Sequence, residues 1–396
     1  MSDTDHAPTT ASARRTPPEP IPLSLLTGFL GAGKTTLLNR LLKDPALANT
    51  AVIINEFGEV GLDHLLVDYI DDNTVLLQSG CLCCTMRGDL VDALEKLLRD
   101  LDNGRAKFSR VLLETTGLAD PAPVLHTAMV HPYLVKRFRL DGVITVVDAV
   151  NGDRTLNEHA EAVKQAAVAD RIVLSKSDIA KPTETRALID RLKALNPAAT
   201  VLDAAQGEAT ADKLLNCGLY DPSRKIPDVG KWLAAEAYEA SRDHHHDHGH
   251  GQHHHGHNHH HGHGNHHHDI NRHDEHIASF VLRTDRPIPA GTLDMFFELL
   301  LATHGAQILR LKGIVKVTEH PETPLVVHGV QHVLHPPARL PLWPDDNHST
   351  RLVFITRDLP QRTVSDLFDA FIGVPKADQP DRAALTDNPL VPFSGR

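Results

Sequence analysis

IPLSLLTGFLGAGKT, residues 21–35, runs from an apolar segment through a glycine-rich turn into Lys34 and Thr35. Within it, Gly28–Thr35 fits the pattern G-x-x-x-x-G-K-[ST], directly after a strand-like run and at the opening of a helical pattern. Gly28, Gly31 and Gly33 let backbone N–H groups approach phosphate oxygens. Lys34 can reach the β and γ oxygens, and the Thr35 hydroxyl can ligate Mg²⁺. Strand, loop and helix in register predict a nucleotide-binding α/β fold.

Six further apolar runs follow: AVIIN (51–55), TVLLQ (74–78), RVLLET (110–115), GVITVVDA (142–149), RIVLSK (171–176) and ATVLDA (199–204). Most are short and apolar throughout, as strands covered on both faces of a parallel sheet are. Leucine stripes at Thr35–Lys43, Asp89–Leu101 and Glu184–Leu195 read as the intervening helices. The alternation predicts a doubly wound, mostly parallel α/β domain over residues 21–235. After residue 276 the order changes. Strands at His276–Arg283, Gln307–Val317, Pro324–Leu334 and Arg351–Thr356, with helices at Ala290–His304 and Val364–Ile372, predict a smaller α+β domain over 276–373.

Residues 236–275 join the two. Eighteen of the chain's 29 histidines fall between His244 and His276, among glycines and almost no apolar residue. Such a segment cannot bury enough surface to offset its ordering entropy, so a His-rich disordered linker is expected. Residues 1–20 are polar and Pro-rich and read as a disordered leader without an apolar signal core; 374–396 read as a flexible tail. The formal charge of −11 and an aromatic content of 4% argue against a nucleic-acid binder. No run approaches the roughly 18 apolar residues of a membrane span. Four cysteines, three of them packed into four positions, do not form a secreted disulfide framework, and a cytoplasmic location is expected.

Asp178, in Ser175-Lys-Ser-Asp178, can accept two N–H bonds from a guanine edge while the Lys176 stem covers the ring. Guanine-binding loops often read Asn-Lys-x-Asp. The shorter Ser175 hydroxyl is expected to brace the loop less well and loosen base selectivity; an ordinary strand-end turn is the alternative. Glu114 ends RVLLET, where its ETTG turn can bring the carboxylate near Thr35 and the Gly117 amide toward a γ-phosphate. Glu56, in NEFGEVGLD, is a second candidate for the Mg²⁺ shell or the attacking water. For both glutamates a solvated strand cap is the competing explanation.

Cys81, Cys83 and Cys84 are a donor set for a soft or borderline cation such as Zn²⁺, Cu⁺ or Co²⁺. A tetrahedral shell leaves a fourth place for Glu59, His64 or water, and that openness favours a transfer site over a closed structural one. Inert buried cysteines and a Cys83–Cys84 redox pair are the alternatives. The cluster lies between NEFGEV and ETTG, so metal and nucleotide can bias one another through a shared segment. The imidazoles of residues 244–276 can hold several metal ions weakly, as a reservoir beside the thiols, or serve only as a solubilising linker.

GFLGAGKTTLL, NEFGEVGLD, SGCLCC, LLETTGLADP, VVDA and SKSD, followed by a His-rich linker and by GVQHVLH and STRLVFITRDL, resemble the CobW-like GTPases. These are metallochaperone relatives of the urease and hydrogenase nickel-insertion GTPases. The likeness covers about Ile21 to Ile372. It implies a P-loop GTPase domain with a CobW-like C-terminal domain, hydrolysing GTP slowly with Mg²⁺ and delivering a metal to client metalloproteins. Zinc is the cargo in many members, cobalt in others. By the same resemblance Gly31, Ala32, Gly33, Lys34, Thr35 and Thr36 bind phosphates and Mg²⁺, and Lys176 and Asp178 bind guanine. Cys81, Cys83 and Cys84 would carry the cargo; beside the resemblance, the residues' own positions make Glu59 a candidate further ligand and Lys34, Glu114 and Glu56 the candidates for hydrolysis. A dimer dependent on nucleotide or metal, and client docking through an exposed sheet face of the second domain, are further expectations. Ser175 and Ser79 stand where Asn is often found. The leader lacks a Cys-Pro-x-Leu-Val-Pro element, so the aminopeptidase client of some eukaryotic members is not expected. Two competing readings are a metal buffer with little nucleotide turnover and a small-molecule kinase. Intact Lys34, Thr35, Glu114 and Asp178 count against the first; the thiols and polyhistidine count against the second.

Overall fold

The computed structural model describes residues 19–55, 75–79, 86–215 and 276–373. The first domain is built on seven strands: β1 (Ile21–Gly28), β2 (Thr50–Asn55), β3 (Val75–Ser79), β4 (Arg110–Glu114), β5 (Phe138–Asp148), β6 (Arg171–Ser175) and β7 (Thr200–Asp203). They lie in the order β3-β2-β4-β1-β5-β6-β7, and each neighbouring pair runs parallel. Each apolar run read from the sequence is one of these strands. The order reverses at β1, with β4 on one side and β5 on the other. In open α/β sheets ligands bind outside the carboxyl ends of the strands at such a switch point.

The strands are apolar on both faces because helices cover both. Leu23, Leu25, Ile53, Val111 and Leu113 pack beneath α2 (Met86–Asp102) and α3 (Pro121–Val130). The alternate residues Leu26, Val52, Leu112 and Ile144 pack beneath α1 (Lys34–Leu42). Each such aliphatic side chain stabilises the fold by roughly 1.5–3 kcal/mol. The short α4 (Leu134–Arg137) leads into β5; α5 (Gly152–Glu158), α6 (Ala160–Ala167), α7 (Pro182–Leu195) and α8 (Ala211–Leu214) complete the domain. The sequence reading overlooked α3 for a physical reason. Seven of its ten residues are buried, so it shows no one-sided stripe.

The second domain comprises β8 (Ile277–Thr284), α9 (Ala290–His304), β9 (Ile308–Val317), β10 (His320–Val330), β11 (Val333–Leu334), β12 (Ala338–Arg339), β13 (Thr350–Arg357) and α10 (Gln361–Phe371). Its sheet, β11-β10-β9-β13-β8 with β12 also on β10, is antiparallel. The strand expected over Pro324–Leu334 is instead a hairpin. It reverses at Gln331, whose φ of 52° takes the left-handed turn without the Gly, Asn or Asp that marks such turns in a sequence.

The sheet face expected to be exposed for docking is covered. α9 and α10 pack on one side, where Phe296 meets Phe368. On the other, Leu309, Ile314, Val353 and Ile355 pack against Leu188, Leu192 and Leu195 of α7. The apolar part of that face cannot stay solvated, and the first domain's helices supply its cover. Among the described residues no helix is long and apolar enough to cross a membrane.

Candidate functional site

The carboxyl end of β1 carries the phosphate loop. Gly28 closes the strand against β5, where a Cβ would lie 2.4 Å from the Val146 carbonyl oxygen. Gly33, at φ 96°, caps α1 in the left-handed region, so the N–H groups of Lys34, Thr35 and Thr36 open directly onto the loop. The Lys34 ammonium arches back over it, 2.9 Å from Gly28 O and 3.2 Å from Phe29 O. An ammonium held by carbonyls at the mouth of the loop can exchange them for phosphate oxygens.

Glu114 ends β4 in register with Leu26 of β1 and is 3% exposed. Thr35 donates its hydroxyl hydrogen to Glu114 Oε1 at 3.2 Å. Hydroxyl and carboxylate together form an oxygen donor set that suits Mg²⁺. The ETTG turn leaves from this point. The Thr115 amide donates to Leu26 O at 3.0 Å, and the Thr115 hydroxyl to Thr27 Oγ1 at 2.8 Å. Gly117 presses on the phosphate loop so closely that a Cβ would sit 2.5 Å from the Leu30 nitrogen.

The side expected to take the base is formed at the ends of β6 and β7. The Ser175 hydroxyl donates to Ala32 O at 2.6 Å, so the shorter side chain still reaches the loop. Lys176 bonds Gly31 O at 2.9 Å and pairs with Asp148 Oδ2 at 2.6 Å. Burial raises the Asp148 carboxyl, but Lys176, Asn151 and the Val150 amide outweigh it and hold the group below its ordinary value. Asp203 ties the last two loops together, accepting from Ser177 Oγ at 2.5 Å and from the Ala205 amide at 2.9 Å. Arg40 of α1 clips the same loop through Ala204 O and Ala209 O. Between the loops lies a cavity of about 470 Å³ walled by Thr36, Lys176, Asp178, Ile179, Ala204 and Ala205. That volume suits a nucleoside.

Gly28, Gly31, Ala32, Gly33, Lys34, Thr35, Thr36, Glu114, Gly117, Lys176 and Asp178 therefore line one edge of the sheet. Glu56, Glu59, His64, Cys81, Cys83, Cys84 and histidines 244–275 lie outside the described residues. His276 is described, with Nδ1 2.5 Å from Asp358 Oδ1. Among the described residues no group of three or more His, Cys, Asp or Glu could hold a metal ion. Sequence reasoning missed Asp148, Arg40 and Asp203. Asp148 was signalled by VVDA; Arg40 and Asp203 act on backbone groups and leave no motif.

Residues 22–203 match the CobW/HypB/UreG nucleotide-binding domain, and residues 277–372 the C-terminal domain of the cobalamin synthesis protein cobW. The chain is 33% identical over 349 residues to the zinc chaperone YjiA of Escherichia coli, covering 88% of this chain and 98% of that one. It is 32% identical over 196 residues to the zinc-regulated GTPase metalloprotein activator 1 of Schizosaccharomyces pombe, across 48% of this chain and 47% of that protein. The fold superposes on the crystal structure of the Zn(II)-bound YjiA GTPase from E. coli with a TM-score of 0.62 at 30% identity, covering 90% of this chain and all of that one.

Proposed function

The chain belongs to the CobW/HypB/UreG family and is a P-loop GTPase, and on that premise we propose that it is a metallochaperone. It couples GTP hydrolysis to carrying Zn²⁺ on Cys81, Cys83 and Cys84 for delivery to client metalloproteins. Co²⁺ is the alternative cargo, and Glu59 a candidate fourth ligand. The observation that carries this is the Thr35–Glu114 contact, which joins the phosphate loop to the ETTG turn at 3.2 Å.

In this reading the N-terminus of α1 and the Lys34 ammonium hold the triphosphate, and Asp178 accepts the guanine N–H pair. Thr35 and Glu114 would hold Mg²⁺, which when bound neutralises charge developing on the phosphates. Gly117 offers its amide at the γ-phosphate position, and Glu114 with Glu56 orients the attacking water. Cys81 follows two residues after Ser79, where β3 ends in register with Asn55 of β2, and Ile54 of β2 is in register with Glu114. Two strand spacings put the β3 terminus about 10 Å from that carboxylate. The chain enters the cysteine motif two residues beyond that terminus, which supports reciprocal coupling of metal and nucleotide. Histidines 244–276 act as a low-affinity reservoir, and a cytosolic location would keep the thiols reduced.

The test is GTP turnover with and without stoichiometric Zn²⁺ or Co²⁺ for the wild type and Cys83→Ala. Metal-dependent turnover that the variant loses is the expected result. Metal binding with no turnover would identify a buffer instead.

A further inference from the structure

Gln165 sits in the middle of α6, 1% exposed, and is used by nothing described so far. Its carboxamide nitrogen donates to Gly117 O at 3.2 Å and to Ala119 O at 3.0 Å. The two carbonyls bracket Leu118, so one side chain holds both ends of the segment that follows ETT. The opposite orientation of the amide would set its oxygen against two carbonyl oxygens, so the donor end is fixed. Gln165 is itself anchored to the sheet, because the buried Thr145 hydroxyl donates to its backbone carbonyl at 2.7 Å.

The same turn is held a second time at its far end. Asp120 caps α3 by accepting from the Ala122 amide at 3.0 Å. It also accepts from Lys164, the neighbour of Gln165, at 2.7 Å, and from Gln331 of the second domain at 3.2 Å. Gln331 is the left-handed residue at which β10 turns into β11. The front of the turn offers no slack, since Gly117 already touches Leu30. The Gly117 and Ala119 carbonyls share their peptide planes with the Leu118 and Asp120 amides, and the Gly117 amide shares its plane with the Thr116 carbonyl, which accepts from the Ala119 amide at 3.2 Å, so these contacts together set the turn that aims the Gly117 amide.

We propose that Gln165 is a positioning residue for GTP hydrolysis, holding Gly117–Ala119 so that the Gly117 amide keeps one setting at the phosphate loop. Gln331, through Asp120, supplies the second domain's share of that hold. This rests on the assignment of ETTG as the γ-phosphate turn. Misplacing a positioning group by about 1 Å can cost on the order of 100-fold in rate while leaving ground-state binding intact.

The experiment uses the full chain with saturating GTP and Mg²⁺, and measures kcat, KM and GDP affinity for Gln165→Leu, Gln165→Met and Gln331→Ala. Leu and Met keep the bulk of Gln165 and remove its donors. The expected result is a kcat about 10- to 100-fold lower for the Gln165 variants, with GDP affinity within twofold of the wild type. Gln331→Ala should lose about threefold, and adding it to Gln165→Leu should cost no further rate, because both act through one turn. A wild-type kcat in a Gln165 variant that still binds GDP overturns the proposal, as does a loss of GDP affinity matching the loss of kcat. If both Gln165 variants fail to fold, Gln331→Ala decides, and an unchanged kcat there overturns it. Glu114→Gln separates the two levels. Unchanged turnover in that variant sinks the ETTG assignment itself, whereas its inactivity beside a fully active Gln165→Leu sinks only the positioning role.

Discussion

Asp170, at the foot of β6, and Arg310, on β9, meet at 2.5 Å inside the seam between the two domains. Lys312 joins the same oxygen at 2.8 Å, the Val143 amide takes the other at 3.0 Å, and each of the three charged side chains is about 95% buried or more. Burial pushes the Asp170 carboxyl up, but Arg310 and Lys312 outweigh it and hold the group well below the usual carboxylate range. The acid comes from one domain and both bases from the other, so the ion group specifies how the domains dock.

Removing one partner of such a group strands the rest in a dry site. Asp170→Ala should destabilise the protein by about 3–5 kcal/mol, read as a lower urea midpoint. Replacing all three together, with Asp170→Leu, Arg310→Met and Lys312→Met, should leave stability near the wild type, because no buried charge is left uncompensated. A loss below about 1 kcal/mol for Asp170→Ala would show that the seam is wet or loosely held.

His328 lies opposite Lys312 on β10 and is 3% exposed. Burial first, then the Arg310 guanidinium, holds its imidazole well below the ordinary histidine range, with Asp170 opposing. The unfolded side chain titrates near about 6.5, so below that pH the unfolded state binds a proton that the native state refuses. Stability should therefore fall with pH by about 1.4 kcal/mol per unit between roughly pH 6.5 and 5. The depressed Asp170 carboxyl acts in another window. Its contribution is present above about pH 4 and lost only as pH drops toward its folded value, so it is flat across this range. Urea unfolding of wild type and His328→Phe in the presence of a chelator checks this. Equal slopes for the two proteins would refute it.

Much of this architecture was legible in the sequence because covered strands and phosphate loops are written locally. IPLSLL and RVLLET are apolar on both faces since helices cover both, and that pattern survives in a linear reading. What escaped were relationships between distant backbone groups. Gln165 looks like one polar residue in an alanine-rich helix, and its role depends on two carbonyls 46 and 48 positions away. Asp170 precedes a strand like any turn acid, and its partners come 140 and 142 residues later. The second domain's sheet face, expected to be open to a client, is covered for a reason equally hidden in the sequence. Alternation in β9 reveals that one face is polar-interrupted, but not that Arg310 and Lys312 there answer a single buried acid.

Gly117→Ala tests how tightly the ETTG turn is built. The added methyl would lie 2.5 Å from the Leu30 nitrogen, a backbone atom that cannot swing aside. The turn must retreat from the phosphate loop, and kcat should fall at least tenfold while GDP affinity, which needs no γ-phosphate contact, stays within about twofold. A variant turning over at the wild-type rate would show that the turn can shift without consequence.

If Asp178 reads the guanine as proposed, base selectivity rests on its carboxylate rather than on Ser175. The Ser175 hydroxyl braces Ala32 O at 2.6 Å, which fixes the loop through its backbone. Asp203 and Arg40 hold the opposite loop. With both walls fixed, the proposal leaves discrimination to the carboxylate of Asp178, which can accept two guanine N–H groups at once. Charged hydrogen bonds of this kind contribute about 1.5–3 kcal/mol each, and an unpaired donor costs a similar amount. Asp178→Asn replaces one acceptor by a donor, so GTP affinity should fall at least 100-fold while xanthine triphosphate, which presents a carbonyl at the 2-position, gains. Ser175→Asn should change the GTP preference by less than about threefold, since the brace is already made. Competition of each triphosphate against a fluorescent guanine nucleotide measures both. A large gain in selectivity for Ser175→Asn, beside a small loss for Asp178→Asn, would move the determinant from the carboxylate to the strand end.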